Sequence, residues 1–169
     1  MKDNLKAVGF PRVHNVPVDC YKTWSTGIGY PEFDILVTNP PYSDDHIPKL
    51  LRHVCSRNFG SRPWLLLLPT WVHKKGYFKS LVTVPCFYIV PKKRYVYHPP
   101  KQFRAKKNSD VHKKSSPFIS MWYVWGGDEG VNNGLFDYYR TVAHEYDCEV
   151  ARSKSALRDL RRKASKKGR

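Results

Sequence analysis

Three short apolar runs, each followed closely by a proline, constrain the fold of this 169-residue chain more than any other feature of its sequence. The runs are FDILVT at residues 33–38, WLLLL at 64–68 and CFYIV at 86–90. Each is too short for an independent helix, and its nearly continuous apolar character is typical of a strand buried on both faces. Proline has no N–H to continue a sheet, so it marks where each strand ends.

Helical patterns alternate with these strands. Residues 43–59 carry apolar side chains at the spacing of one helical stripe, namely Ile47, Leu50, Leu51, Val54 and Cys55. Ser43, Asp44 or Asp45 can cap the start of this helix, and Gly60 suits its end. We also expect a short helix at 71–82, a strand at 118–125 and a helix at 135–148. The alternation predicts one α/β domain over residues 1–150, with a mostly parallel sheet and helices on both faces.

The positive charge is concentrated in two segments. The chain has 30 basic and 14 acidic residues, for a net charge of +16. Residues 92–114 and residues 151–169 each hold nine basic residues against one acid, so the rest of the chain is balanced. Such clusters are typical of proteins that bind a phosphate backbone, and ribosome-associated and membrane-surface proteins share them. We expect the 151–169 tail to be helical or disordered, and to act as a nuclear address, an RNA-binding arm or a solubilising end.

Other features exclude several classes of protein. The four cysteines form no CxxC pair and the seven histidines no HxH or HxxxH pair, so neither a metal site nor a disulfide scaffold is expected. No apolar run is long enough to cross a bilayer, and the first residues lack the apolar stretch of a signal peptide. These observations predict a soluble, intracellular protein.

The tetrapeptide Asn39-Pro40-Pro41-Tyr42 follows the first predicted strand and precedes the first long helix. Ligands in α/β sheets bind at the carboxyl ends of strands, which is where this tetrapeptide falls. The Asn39 side chain and the Pro40 carbonyl are hydrogen-bond acceptors, and consecutive prolines hold them rigidly without competing donors. Two acceptors that bind the N–H groups of a conjugated amine draw its nitrogen toward a tetrahedral geometry, which makes it a better nucleophile.

In this context the tetrapeptide resembles the catalytic motif of S-adenosylmethionine-dependent amino-group methyltransferases, above all the adenine-N6 class. The resemblance implies that Asn39 and Pro40 accept hydrogen bonds from the target amine, that Pro41 keeps the turn rigid, and that Tyr42 stacks on the target base. It implies no metal. Related families with the same tetrapeptide modify guanine N2 in ribosomal RNA or a glutamine side chain, and the basic excess favours nucleic acid, either DNA or RNA. The alternative is a rigid strand-to-helix turn.

The resemblance extends to other parts of the chain. VPVDCY at residues 16–21 looks like the family motif in which an acidic residue after a strand binds the adenine of the cofactor, so Asp19 is the cofactor-binding candidate. Alternatively, Asp19 caps a turn. Residues 64–69 resemble the fifth strand of the family, and residues 86–125 resemble its last two strands. The resemblance therefore implies a partial Rossmann-like class I methyltransferase sheet.

The first strands of that sheet and its glycine-rich cofactor loop have no counterpart here. Gly27-Ile28-Gly29 is followed directly by Tyr30-Pro31 and the first predicted strand, which leaves no room for a helix, so we interpret it as a plain turn. Loss of central strands would expose an apolar sheet edge. Three explanations fit: a truncated fragment, which we favour, a partner chain that completes the sheet, or an inactive remnant.

The first basic segment interleaves cations with aromatic residues, a pattern that suits binding to phosphates and stacking on bases. The candidate nucleic-acid contacts are Lys92, Lys93, Arg94, Tyr95, Lys101, Arg104, Lys106 and Lys107. Alternatively, this segment is a solvated loop whose tyrosines pack inward. The rival hypothesis for the whole chain is a noncatalytic RNA- or ribosome-binding protein, in which the tetrapeptide is only scaffold.

Overall fold

The computed structural model describes residues 2–95 and 119–167, with side chains described as far as residue 163. The chain divides into two compact units, Met1–Asp34 and Ile35–Arg169. The first unit contains two short helices, α1 (Lys2–Ala7) and α2 (Cys20–Thr26), neither of which has a buried residue. Residues 12–19 form no strand, so the strand implied before Asp19 is missing.

The second unit is built on a five-stranded sheet, which bears out the α/β prediction. Its strands are β1 (Leu36–Thr38), β2 (Trp64–Pro69), β3 (Phe87–Pro91), β4 (Ser120–Trp125) and β5 (Cys148–Ala151). Their order across the sheet is β1-β2-β4-β3-β5.

The prediction of a mostly parallel sheet is wrong. Among the described strands, the β1–β2 pairing alone is parallel, whereas β2–β4, β4–β3 and β3–β5 are antiparallel. The strand β4 lies between β2 and β3 and runs opposite to both, so β2 and β3, which run in the same direction, do not pair with each other. Apolar side chains on both faces indicate that a strand is buried in the sheet, but they do not predict whether it runs parallel or antiparallel to its neighbours.

The helices of this unit differ in length from the predicted ones. Helix α3 (His46–Val54) buries the predicted stripe but ends before Gly60, because Ser56 and the residues around it form a separate turn that closes on His53 and Phe59. The predicted helix at 71–82 is a 3₁₀ turn (Val72–Lys74) and a short helix α4 (Gly76–Leu81), separated by the extended backbone of Lys75.

The two faces of the sheet carry separate halves of the core, as directly paired residues in antiparallel strands point to the same face. On one face, Phe87, Ile89 and Val124 pack against α5 (Glu129–Val142). On the other face, Tyr123 contacts the rings of Phe78 in α4 and Tyr88 in β3, at centroid distances of 5.4 and 5.1 Å. Helices therefore cover both faces, as predicted.

The C-terminal part of the chain adds strand β5, which the sequence did not predict, and a helix in the tail, which was one of the two expectations for it. Helix α5 ends at Val142, earlier than the predicted end at 148, and a 3₁₀ turn (Ala143–Tyr146) leads to Asp147, whose φ of 53° reverses the chain into β5. Beyond β5, the basic tail forms helix α6 (Lys154–Lys167). Its Leu157 is only 3% exposed, so the helix is anchored in the core.

Candidate functional site

The carboxyl ends of three strands meet at one edge of the sheet. Strands β1 and β2 are parallel, and β3 runs in the same direction because both β2 and β3 are antiparallel to β4. The residues that follow these strands, Asn39, Thr70 and Lys92, therefore lie along this edge, where β4 begins at Ser120. We refer to it as the carboxyl edge.

The Asn39–Tyr42 tetrapeptide is held at the carboxyl edge by the hydroxyl group of Tyr42. This hydroxyl lies 2.7 Å from Asn39 Oδ1, 3.2 Å from the backbone oxygen of Leu67 in β2, and 3.4 Å from Ser120 Oγ in β4. Asn39 and Pro41 are exposed, whereas Pro40 and Tyr42 are half-buried. The tetrapeptide thus lies where the sequence placed it, folded back so that its last residue contacts its first.

These contacts determine what the Asn39 side chain can do. A tyrosine hydroxyl has one hydrogen, so Tyr42 donates to one oxygen at a time, and Asn39 Oδ1 is the nearest. An amide oxygen has two lone pairs, of which the Tyr42 hydroxyl uses one. The second lone pair can accept a hydrogen bond from a ligand amine, and the Tyr42 contact fixes the direction in which the amide points.

Asp19 serves as the N-cap of α2. Its Oδ1 accepts hydrogen bonds from the backbone N–H groups of Tyr21 and Lys22, at 2.9 and 3.3 Å. The helix ends at Gly27, which has a φ of 70° and begins a turn closed by Tyr30 N–H on the Gly27 carbonyl. The capping role was the alternative for Asp19, and the cofactor role stays a prediction.

Part of the predicted nucleic-acid contact can be located. Lys92 to Tyr95 follow β3 at the carboxyl edge, while Lys101, Arg104, Lys106 and Lys107 lie outside the described residues. Lys93 Nζ lies 2.9 Å from a carboxylate oxygen of Asp147, and this hydrogen bond raises the pKa of Lys93 and lowers that of Asp147. Lys93 therefore has an intramolecular anion as its partner.

Tyr95 is turned toward the sheet. Its hydroxyl accepts a hydrogen bond of 3.1 Å from Trp122 Nε1 in β4. Both rings line a groove of about 200 Å³ on the face of the sheet covered by α5, and the lining is Leu65, Ile89, Tyr95, Trp122, Tyr139, Ala143, Tyr146 and Cys148. This groove could not be predicted from the sequence, because its lining comes from several separate elements.

The titratable groups of the core favour neutral forms. Burial lowers the pKa of His53 to about 4 and also lowers that of His73, which is 3% exposed. Burial also raises the pKa of all four cysteine thiols, Cys20, Cys55, Cys86 and Cys148. The pKa of Cys86 is raised to about 12. These thiols are therefore protonated at neutral pH and poor nucleophiles. At the carboxyl edge, Asn39 Oδ1 and the Pro40 carbonyl are neutral hydrogen-bond acceptors.

Within residues 2–95 and 119–167, no group of three or more histidine, cysteine or acidic side chains is placed to hold a metal ion. None of the helices in those ranges is both long and apolar enough to cross a bilayer.

No protein-family model matches the chain, and the searches found no curated protein and no solved structure that is similar to it. An interpretation of its function therefore depends on the residues and geometry at the carboxyl edge.

Proposed function

We propose that the chain is a methyltransferase-like protein that directs methyl transfer from S-adenosylmethionine to an amino nitrogen of DNA or RNA, with adenine N6 as the first candidate. One observation carries the proposal: Asn39 Oδ1 lies at the carboxyl edge with its direction fixed by Tyr42 at 2.7 Å. An acceptor that is exposed and held in one direction is what binding of a conjugated amine requires.

The residues of the tetrapeptide account for the amine side of the reaction. Asn39 Oδ1 and the Pro40 carbonyl would accept the two N–H groups of the target, which concentrates the nitrogen lone pair for attack. A base in a duplex must first leave its stack to reach this edge, whereas an unpaired base can reach it directly. The Tyr42 ring, fixed by its hydroxyl, would contact one face of that base.

The described residues account for binding of the target amine, but they do not form a comparable site for S-adenosylmethionine. The only acidic candidate, Asp19, uses its Oδ1 to cap α2. Strand β1 has three half-exposed residues and, among the strands of the described residues, stands at the end of the order and pairs with β2 alone. We therefore extend the proposal to a partner chain that completes the sheet beside β1 and contributes the cofactor site.

Methyl transfer tests this proposal directly. The chain, purified together with any partner chain that it retains, would be incubated with S-adenosylmethionine carrying a labelled methyl group and with an adenine-containing or an adenine-free oligonucleotide. We expect label in the adenine-containing strand, and Asn39→Ala should lower the transfer at least about 100-fold, as for loss of a key catalytic hydrogen bond. Asn58→Ala, which changes an exposed asparagine away from the tetrapeptide, is the matched control. Transfer that survives Asn39→Ala would contradict the role of this side chain.

A noncatalytic RNA- or ribosome-binding protein is the second candidate, and a specific observation favours it. The contacts of Tyr42 with Leu67 and Ser120 tie the tetrapeptide to β2 and β4, as a purely structural turn would require. Calorimetry with S-adenosylmethionine separates the two functions. No heat of binding and no methyl transfer, together with retained oligonucleotide binding, would identify the second function for this chain acting alone.

A further inference from the structure

Helix α6 is fixed to the body of the protein by its apolar side chains. Leu157 is 3% exposed and Leu160, one turn further on, is half-buried. At the start of the helix, Ser153 Oγ accepts a hydrogen bond of 3.1 Å from Ala156 N–H, which caps the first turn. The helix begins three residues after β5 ends at Ala151, which is 1% exposed. The basic tail is therefore a rigid element over these residues.

The helix reaches the carboxyl edge. Arg161 donates a long hydrogen bond of 3.5 Å to the backbone oxygen of Thr70, the residue that follows β2. The 3₁₀ turn that carries Lys74 begins two residues later. Leu67, whose carbonyl contacts the Tyr42 hydroxyl, is three residues before Thr70, which corresponds to about 10 Å along an extended chain. The anchor point of α6 is therefore close to the tetrapeptide.

Cations from two distant parts of the sequence gather here. Burial is the main cause of the lowered pKa of His73, and the charges of Arg161, Lys74 and Lys154 lower it further. The contact of Arg161 with Thr70 brings it to a residue four positions before Lys74, and Lys154 begins the same helix as Arg161. Arg158 and Arg162 are exposed on the same helix, whose only acid is Asp159.

We propose that Lys74, Lys154, Arg158, Arg161 and Arg162 form a composite basic surface that binds the phosphate backbone of a nucleic acid and leads it to the tetrapeptide. The choice of nucleic acid as the partner rests on the proposed function. Fixed cations that neutralise several phosphates release counterions from the strand, and this release drives binding.

The same features disfavour a lipid surface as the partner. A helix that binds a membrane lays an apolar face into the lipid. In α6 the apolar residue Leu157 is already buried in the core, and the exposed residues Lys154, Arg158 and Arg162 are charged. A phosphate backbone requires only such charges.

Fluorescence anisotropy with a labelled single-stranded oligonucleotide of about 16 nucleotides tests the surface. The test variant combines Lys74→Gln, Arg158→Gln and Arg162→Gln, which leaves the Arg161 hydrogen bond in place. The control combines Arg52→Gln, Arg57→Gln and Arg140→Gln, which removes the same charge from exposed positions on other segments. For the test variant we expect binding at least about 10-fold weaker near 0.1 M salt. The slope of the logarithm of the binding constant against the logarithm of the salt concentration should also become shallower by about two. For the control we expect a change below about threefold.

A second variant separates a fixed surface from a flexible charged tail. Leu157→Ala keeps every charge but removes the buried anchor, so it should also weaken binding while circular dichroism reports a folded body. Equal losses in the two triple variants, or no loss in the test variant, would overturn the proposal. Binding to vesicles of phosphatidylcholine and phosphatidylserine without binding to the oligonucleotide would overturn it too. The measurement uses no methyl donor, so a failure of methyl transfer leaves its result unaffected.

Discussion

Replacement of Tyr42 by phenylalanine tests the central contact of the tetrapeptide. The tyrosine hydroxyl has three oxygens within 3.4 Å, but its single hydrogen limits it to one donated bond, with Ser120 as the available donor to it. A hydrogen bond contributes about 0.5–1.5 kcal/mol net. We therefore expect Tyr42→Phe to lower the free energy of unfolding by about 1–2 kcal/mol, rather than by the sum of three bonds.

A double-mutant cycle with Asn39→Ala isolates the contact that orients the amide. The two variants should couple by about 0.5–1 kcal/mol, because either one removes the same hydrogen bond. Urea unfolding followed by tryptophan fluorescence gives the four free energies required. Tyr138→Phe, at a side chain that is 57% exposed, is the control and should change stability by less than about 0.5 kcal/mol.

Two results would refute this reasoning. If Tyr42→Phe were as neutral as Tyr138→Phe, the hydroxyl would not hold the tetrapeptide against β2 and β4. If the coupling between Tyr42 and Asn39 lay within about 0.3 kcal/mol of zero, the additivity expected of independent sites would hold. In that case the hydroxyl would not fix the direction of the Asn39 amide, and the observation that carries the proposed function would be lost.

Two further predictions concern stability. Asn132 is 2% exposed and hydrogen-bonds to two backbone groups, at 3.1 and 2.8 Å. Asn132→Ala should therefore lower the free energy of unfolding by about 2–4 kcal/mol. The control Asn133→Ala, at an exposed position, should change it little in the same urea experiment. The pKa of His53 is lowered from 6.5 to about 4, and that of His73 is also lowered. The unfolded chain therefore binds protons at these side chains first as the pH falls. The stability that the two neutral histidines contribute should be complete above pH 6.5 and should be lost as the pH falls toward 4. His53→Gln should flatten that part of the curve of unfolding free energy against pH, and a wild-type curve that is flat between pH 7 and 4 would contradict the effect.

The sequence predicts those elements whose signals are local. Strands β2, β3 and β4 and helix α3 follow from short apolar runs, prolines and one apolar stripe, and the structure contains them within a few residues of their predicted positions. A buried strand imposes apolar residues wherever it lies in a sheet, so its presence can be predicted without knowledge of its neighbours. Because that apolar pattern does not depend on the neighbours of a strand, it could not predict that β4 runs antiparallel to β2 and β3.

Elements that depend on distant residues gave weak signals. Strand β5 has only four residues and pairs with β3, which lies about 60 residues earlier in the chain. In α6, burial of Leu157 anchors a segment whose composition is otherwise that of a solvated tail. A few apolar residues among many cations cannot indicate docking unless the surface that receives them is known.

The candidate site shows the same division. The place of Asn39 to Tyr42 after β1 follows from the chain order, whereas the contacts of Tyr42 with Leu67 and Ser120 span 25 and 78 residues and require the folded sheet. For Asp19 the sequence left a cofactor ligand and a helix cap open. The structure shows the cap, which is a local interaction within four residues.

Charge is where the folded chain differs most from the sequence. By sequence alone, Lys74 belongs to the balanced part of the chain and Arg161 to a separable tail. In the structure the 3.5 Å contact of Arg161 with Thr70 brings α6 to the end of β2, close to Lys74. The end of the same strand also supplies the Leu67 carbonyl that contacts Tyr42, about 10 Å away along the chain. Successive phosphates of an extended single strand are separated by a shorter distance than this, so a backbone bound on α6 could present a base one or two nucleotides away to Asn39. Under the proposed function, basic residues that the sequence assigns to a C-terminal tail would therefore help to position the substrate.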